Sequence, residues 1–135
     1  MNVWYLDTSA FLKLVVEEHE TAALRGWVAE RDESDVYASC DLLRAEARRA
    51  ARQDPDPETF ARVVALLEAM TLFPVTSAVM DDAGIVDPVR LRTLDAIHLV
   101  AAQSLIPDLA GIVTYDERLA SAATVHDIAV MSPGT

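Results

Sequence analysis

Five short apolar runs, residues 3–6, 36–38, 72–75, 111–115 and 128–130, alternate with longer stretches in which apolar side chains recur at helical spacing. No other feature constrains the fold as strongly. Runs this short and this apolar read as strands covered on both faces, and repeated strand-then-helix order is the signature of a parallel sheet. The expected architecture is therefore α/β, with a mostly parallel central sheet of four to five short strands and helices on both faces. In such sheets ligands bind beyond the carboxyl ends of the strands, so the residues just after each apolar run carry the functional argument.

Local chemistry sets the expected helices. Asp7-Thr8-Ser9 can cap a helix over 10–16, and residues 20–30 place Ala23, Leu24, Trp27 and Val28 at helical spacing. A helix over 41–52 is broken by Asp54-Pro55-Asp56-Pro57. Beyond the prolines, Phe60, Val63, Val64, Leu67 and Met70 predict a further helix with all five on its inner face. Helices over 77–86, over 93–105 with Thr93 as cap, and from Asp116 to Ala123 complete the pattern. No Gly, Ser and Pro-rich tract divides the chain, so its 135 residues are expected to fold together.

Residues 1–7 lack a basic region and reach a carboxylate before any long apolar run, so neither a signal peptide nor a membrane span is expected and the protein is placed in the cytoplasm. Cys40 is the only cysteine, which excludes an internal disulfide and a cysteine-cluster metal site. A formal charge of −11 argues against broad, non-specific adhesion to nucleic acid, which relies on basic surface. It leaves a local site open.

Asp7, Asp95 and Asp116 each stand at an expected helix start, where a carboxylate satisfies free N–H groups. Capping alone does not explain why Asp7 and Asp116 also follow apolar strands, at the edge of the expected crevice. Glu46 falls between Leu42, Leu43 and Ala50 on the apolar face of its helix. An inward carboxylate needs a partner, because unpaired burial costs on the order of several kcal/mol. An ion pair with Arg49 and a bound metal are equally good partners at this point. Four converging acids would repel one another unless a cation neutralised them, and hard oxygen donors without thiols favour Mg2+ or Mn2+. Such an ion retains waters and accepts phosphate oxygens, which suits hydrolysis of phosphodiesters by metal-activated water.

His98 follows Asp95 on the side of Leu94, Ala101 and Leu105, and reads as a hydrogen-bonded core histidine rather than a ligand. His19 and His126 read as surface residues. Arg44, Arg48 and Arg52 form a stripe opposite Glu46, a solvated outer face. Arg49 lies nearer Glu46, Thr8 and Ser9 lie beside Asp7, and Arg118 lies beside Asp116. These four are the candidates for contact with substrate phosphate or for support of the acids, although Arg118 is equally placed to pair with Glu117 or Asp127.

Four fragments, Tyr5-Leu6-Asp7-Thr8-Ser9-Ala10, Leu43-Arg44-Ala45-Glu46, Leu94-Asp95-Ala96-Ile97-His98 and Thr114-Tyr115-Asp116-Glu117-Arg118-Leu119, stand in an order and spacing that resembles a PIN domain. The specific resemblance is to the small VapC-like ribonuclease toxins of type II toxin–antitoxin pairs. It spans nearly the whole chain and implies a single PIN-like domain over 1–135. It further implies that Asp7, Glu46, Asp95 and Asp116 bind Mg2+ or Mn2+ with Ser9 assisting, and that metal-activated water cuts RNA. A homodimer and a cognate antitoxin, inserting a peptide near the acids, are also implied. The stretch Glu17-Glu18-His19-Glu20 is more acidic than its turn needs. A receiver-like or aspartyl-phosphate hydrolase reading, with Asp7 as nucleophile, is weaker because Ser9 stands where the hydrolase pattern wants a second aspartate. A third reading is a PIN-like scaffold that binds a partner with little turnover.

Overall fold

The computed structural model describes residues 2–135. In chain order the elements are β1 (Val3–Leu6), α1 (Thr8–Lys13), α2 (Thr21–Ala29), β2 (Val36–Cys40), α3 (Leu42–Gln53), α4 (Thr59–Ala69), β3 (Thr71–Phe73), α5 (Ser77–Ala83), α6 (Thr93–Gln103), β4 (Leu109–Val113), α7 (Glu117–Val125) and β5 (Val130–Met131). The strands form a five-stranded sheet in the order β3-β2-β1-β4-β5, with every pairing parallel. From β1 the chain builds outward to β2 and β3, then returns to lay β4 and β5 on the other side. The reversal falls between β1 and β4, which is where doubly wound sheets open their crevice.

Every residue of β1 is buried, as a central strand with both faces covered requires. Its alternating side chains serve different layers. Tyr5 packs with Leu99, Ile112 and Leu119, whereas Trp4 and Leu6 pack with Leu24 and Val113 on the opposite face. A further cluster of Phe11, Leu43, Ala47, Val63 and Leu67 joins α1, α3 and α4. Gly111 allows β4 its place: a Cβ there would lie 2.8 Å from the Ala129 carbonyl oxygen and 3.1 Å from the Trp4 ring.

Several expected details shift. The fourth strand ends at Val113 rather than 115, so Asp116 stands beyond Thr114 and Tyr115 instead of directly after the strand. Pro74, which has no N–H to pair, follows the end of β3 at Phe73. Arg92 occupies the N-cap of α6, and Thr93 is its first helical residue. Phe60 and Leu94, both expected to face inward, are 40% and 48% exposed. Each is the second residue of its helix, ahead of the turns that meet the rest of the core. In α4 the buried place of that first turn goes to Thr59, whose hydroxyl accepts a hydrogen bond from Arg62.

Candidate acidic site at the ends of β1 and β4

The pairing of Leu6 with Val113 sets the next residues of both strands side by side, and Asp7 and Thr114 exploit it. Asp7 is buried. Its Oδ2 accepts from the Thr114 hydroxyl at 2.6 Å, while Oδ1 accepts from the Ser9 hydroxyl at 2.7 Å and from the Ala10 amide at 3.0 Å. The same two hydroxyls gather the β4 end: Ser9 Oγ accepts from the Tyr115 amide, and Thr114 Oγ1 from the Asp116 amide. Asp116 in turn caps α7, its Oδ1 accepting from the amides of Arg118 and Leu119.

Burial pushes the Asp7 carboxyl above the usual carboxylate range, although its three donors oppose the rise. Asp95, half-buried in the first turn of α6, is also raised, by burial first and then by the charge of Asp116, with Asp7 adding to it. Asp7, Asp95 and Asp116 thus stand within range of one another's charge. Among the described residues, no lysine or arginine forms an ion pair with any of them.

Glu46 is solved differently. From α3 it points inward, its side chain 23% exposed, and Oε1 takes two partners: the Thr8 hydroxyl at 2.6 Å and His98 Nε2 at 2.7 Å. Burial would raise this carboxyl, but the bonds from His98 and Thr8 outweigh burial and hold it below the usual range. His98, 3% exposed, uses its other nitrogen as well, with Nδ1 2.7 Å from the Tyr5 hydroxyl. Burial opposes a charge on the ring, yet Cys40 and Glu46 outweigh it and push His98 up to about 10. Of those two, Glu46 is in hydrogen-bond contact; Cys40 Sγ lies 4.0 Å away and receives the Tyr5 hydroxyl at 3.2 Å.

The structure therefore places Asp7, Asp95 and Asp116 together and Glu46 at one remove, linked through Thr8 and His98. Among the described residues, no three Asp, Glu, His or Cys side chains stand close enough to hold a metal ion by themselves. Thr8 and Ser9 both support acids, Glu46 and Asp7 respectively. Arg49 does not: it is exposed beside Arg52 and Gln53, and Glu46 pairs with His98 instead. The buried positions of α3 are Leu43, Ala47 and Ala51, which turns Arg49 outward. Arg118 bonds Asp116 only through its backbone; its side chain lines a cavity of about 420 Å³ with Pro88, Arg90, Leu91, Glu117 and Ser121. Neither Glu117 nor Asp127 forms an ion pair with it. Arg44 and Arg52 are exposed, as a solvated face requires, whereas Arg48 is half-buried and lines a groove with Arg44, Val64 and Glu68.

His98 is buried and hydrogen-bonded, as a core histidine should be, but its partner makes it part of the site. Thr114 was not anticipated at all. Both lie inside the fragments that carry the family resemblance, and that proximity is the one signal in the sequence that could have singled them out.

Comparison with known proteins fits this geometry. The chain matches the PIN domain family over residues 4–125. It is 37% identical to Ribonuclease VapC47 of Mycobacterium tuberculosis over 131 residues, covering 96% of each protein. It is 42% identical to Ribonuclease VapC46 of the same species over 133 residues, covering 98% of this chain and 99% of that one. Among solved structures, a toxin-antitoxin complex from Klebsiella pneumoniae holds a chain that superposes with a TM-score of 0.67 at 15% identity, over 96% of both chains, which bears on fold alone. With the acids at the β1/β4 switch point and similarity running almost end to end, the chain belongs to the PIN domain family, among its VapC-like members.

Proposed function

We propose that this protein is the toxin of a type II toxin–antitoxin pair, a single PIN-like domain that acts as an endoribonuclease with a divalent metal, Mg2+ or Mn2+. The observation that carries this reading is the group of Asp7, Asp95 and Asp116, neighbouring carboxylates that among the described residues have no lysine or arginine ion pair, in a chain similar over nearly its full length to VapC ribonucleases. The donors suit the ion: they are hard oxygens, they carry excess negative charge, and their incomplete cage leaves positions for water and phosphate. Asp7, Asp95, Asp116 and the free oxygen of Glu46 would hold it. When bound, such an ion supplies an activated water and stabilises charge on the scissile phosphate.

The remaining roles belong to the chain itself. Ser9 and Thr114 fix the Asp7 carboxylate, and Thr8 fixes Glu46. Arg118, with Arg90 across the same cavity, contacts phosphates flanking the cleaved bond. Arg49, exposed and turned away from Glu46, serves only as a peripheral phosphate contact. The cognate antitoxin is the expected regulator. Met80, Ile85 and Val89 are exposed large hydrophobic residues that line one groove, with Ile85 at 83% and Val89 at 90%, and they support a homodimer through this face. No described helix is long and apolar enough to cross a membrane, and the cytoplasm is where an RNA target and an antitoxin would be met.

One observation favours a second reading, a partner-binding PIN scaffold with weak turnover: no three described side chains hold an ion unaided. Incubating the purified protein with total RNA and Mg2+ or Mn2+, beside Asp95→Asn and a chelator control, separates the two. Discrete fragments that disappear in both controls are expected. The scaffold reading prevails if neither metal elicits cleavage, and identical fragments from Asp95→Asn would point to a contaminant.

A further inference from the structure

We infer that His98 is a positioning residue for Glu46, held in place by a buried hydrogen-bond chain that runs from Glu46 through His98 and Tyr5 to Cys40. The inference rests on the metal-dependent ribonuclease reading above. His98 is itself out of reach of a substrate, since the side chain is 3% exposed and both ring nitrogens are occupied at 2.7 Å. Anything it contributes passes through Glu46.

The geometry at Glu46 gives that contribution a form. Both donors, Thr8 Oγ1 and His98 Nε2, converge on Oε1, and among the described residues Oε2 has no hydrogen-bond partner. One oxygen is pinned and the other is left free, as expected when outer partners orient a carboxylate that must bind something else. A glutamate projecting from a helix has three rotatable side-chain bonds, so without the pin its free oxygen would sample many positions.

The rest of the chain explains why the pin is rigid. The Tyr5 hydroxyl contacts His98 Nδ1, donates to Cys40 Sγ at 3.2 Å and accepts from the Cys40 amide at 3.4 Å. Tyr5 is fully buried on β1, and its ring meets the imidazole edge-on at a centroid distance of 5.8 Å. The ring of His98 is therefore oriented by β1 and β2 rather than by α6 alone. Two residues after Tyr5, the same strand presents Asp7. Through Tyr5 and His98, β1 thus sets Glu46 against the acid it carries itself, tying the outlying carboxylate to the other three.

A histidine that merely fills the core would affect stability without affecting metal binding, and the test exploits that difference. Mn2+ binding without RNA, the kcat and KM of RNA cleavage, and thermal unfolding are measured for wild type, His98→Ala, His98→Gln and Tyr5→Phe. His98→Ala is expected to weaken Mn2+ binding by on the order of 10–100-fold, with kcat falling and KM little changed. His98→Gln, whose amide can still donate toward Oε1, should recover much of the loss, and Tyr5→Phe should fall between. Should His98→Ala fail to fold, the other two variants provide the same readout. The inference is overturned if the variants that fold bind Mn2+ like wild type, or if Gln rescues nothing and every loss follows the melting temperature. Wild type that neither binds Mn2+ nor cuts RNA would sink the ribonuclease reading itself, and this inference with it. Wild type that does both while the variants match it removes only the role of His98.

Discussion

Asp7 and Glu46 are two carboxylates brought to one end of the same sheet and stabilised by opposite means. Asp7 is more deeply buried, yet all its donors are neutral: two hydroxyls and an amide. Glu46 is half-buried and meets an imidazole whose raised pKa keeps it positively charged at neutral pH. The charge of Glu46 is therefore balanced by a partner it touches, whereas Asp7 and Asp95 have no cationic side chain in hydrogen-bond contact and feel His98 and, at Asp95, Arg92 only at a distance. Neutral donors orient a carboxylate without cancelling its charge, so the Asp7 side is the part of the site that needs a cation from outside.

That contrast makes Asp7→Asn the substitution with the largest expected effect. Removing a ligand should cost more activity than the roughly 10–100-fold typical of removing a supporting residue, while the folded protein without metal loses a buried, repelled charge and should melt no lower than wild type. Parallel assays of RNA cleavage and thermal unfolding check both halves. Retained activity in Asp7→Asn would move the metal site elsewhere, and a collapse in melting temperature would mean that the charge of Asp7 is balanced in a way the contrast misses.

Thr114→Val tests how Asp7 is held. The substitution keeps shape and leaves Oδ2 of a buried carboxylate without its 2.6 Å donor. An unsatisfied buried group of this kind costs about 1–3 kcal/mol, so denaturant unfolding should report a loss of that size and cleavage should fall with it. Ser9→Ala should cost less, because the Ala10 amide still serves Oδ1.

The two regions should also separate by pH in metal-free protein. Asp7 and Asp95 have folded pKa values above their unfolded ones, so the native state binds protons the unfolded state has released, and their contribution to stability fades as pH rises through the raised values. His98 acts in the same sense over a higher window: its contribution is fully present below an unfolded pKa of about 6.5 and is lost as pH rises toward about 10. Glu46 acts oppositely, losing its contribution as pH falls through its lowered value. Burial would raise the Cys40 thiol, but its contacts with His98 and Tyr5 outweigh burial and lower it, so it titrates in the same window as His98 and acts oppositely. The comparison is therefore made in a Cys40→Ala background, where melting temperature should decline as pH rises above about 6.5 and flatten when His98→Gln is added. An equal slope in both proteins would mean that the imidazole is not charged in the native state.

Much of this architecture was legible because it is written in local patterns. Apolar runs, caps and helical spacing are short-range features, and they located all five strands and every helix to within a few residues. Asp116 stands two residues farther from its strand than the apolar run implied, whereas Asp7, directly after β1, was legible for the same reason. The bonds that build the site were not, since Thr114 reaches Asp7 across 107 positions and His98 reaches Glu46 across 52. Both depend on strand register and on which helix faces which, neither of which any window of sequence contains. A helical wheel gave Glu46 its inward direction but could not say what stood opposite, and so Arg49 was a plausible partner until α6 supplied His98. The same rule assumes neighbours along the full length of a helix, and it misplaced Phe60 and Leu94 in the first turns of α4 and α6.

Arg118→Ala should have the smallest effect and is the sharpest probe of where the acidic region ends and substrate contact begins. In a chain with 22 acids and 11 lysines and arginines, Arg118 and Arg90 line one cavity without an ion pair to either. If this cavity receives an RNA phosphate, losing Arg118 should raise KM a few-fold with kcat nearly constant, and should reduce the slope of log affinity against log salt by about 0.7. Binding titrations of single-stranded RNA at several salt concentrations, made in the Asp95→Asn background to prevent cleavage, read the slope directly. An unchanged slope would return Arg118 to the solvated surface. A fall in kcat without a change in slope would instead mean that its side chain acts on the Asp116 carboxylate, and the division between a metal-holding acidic region and a phosphate-holding rim would then lie farther along α7.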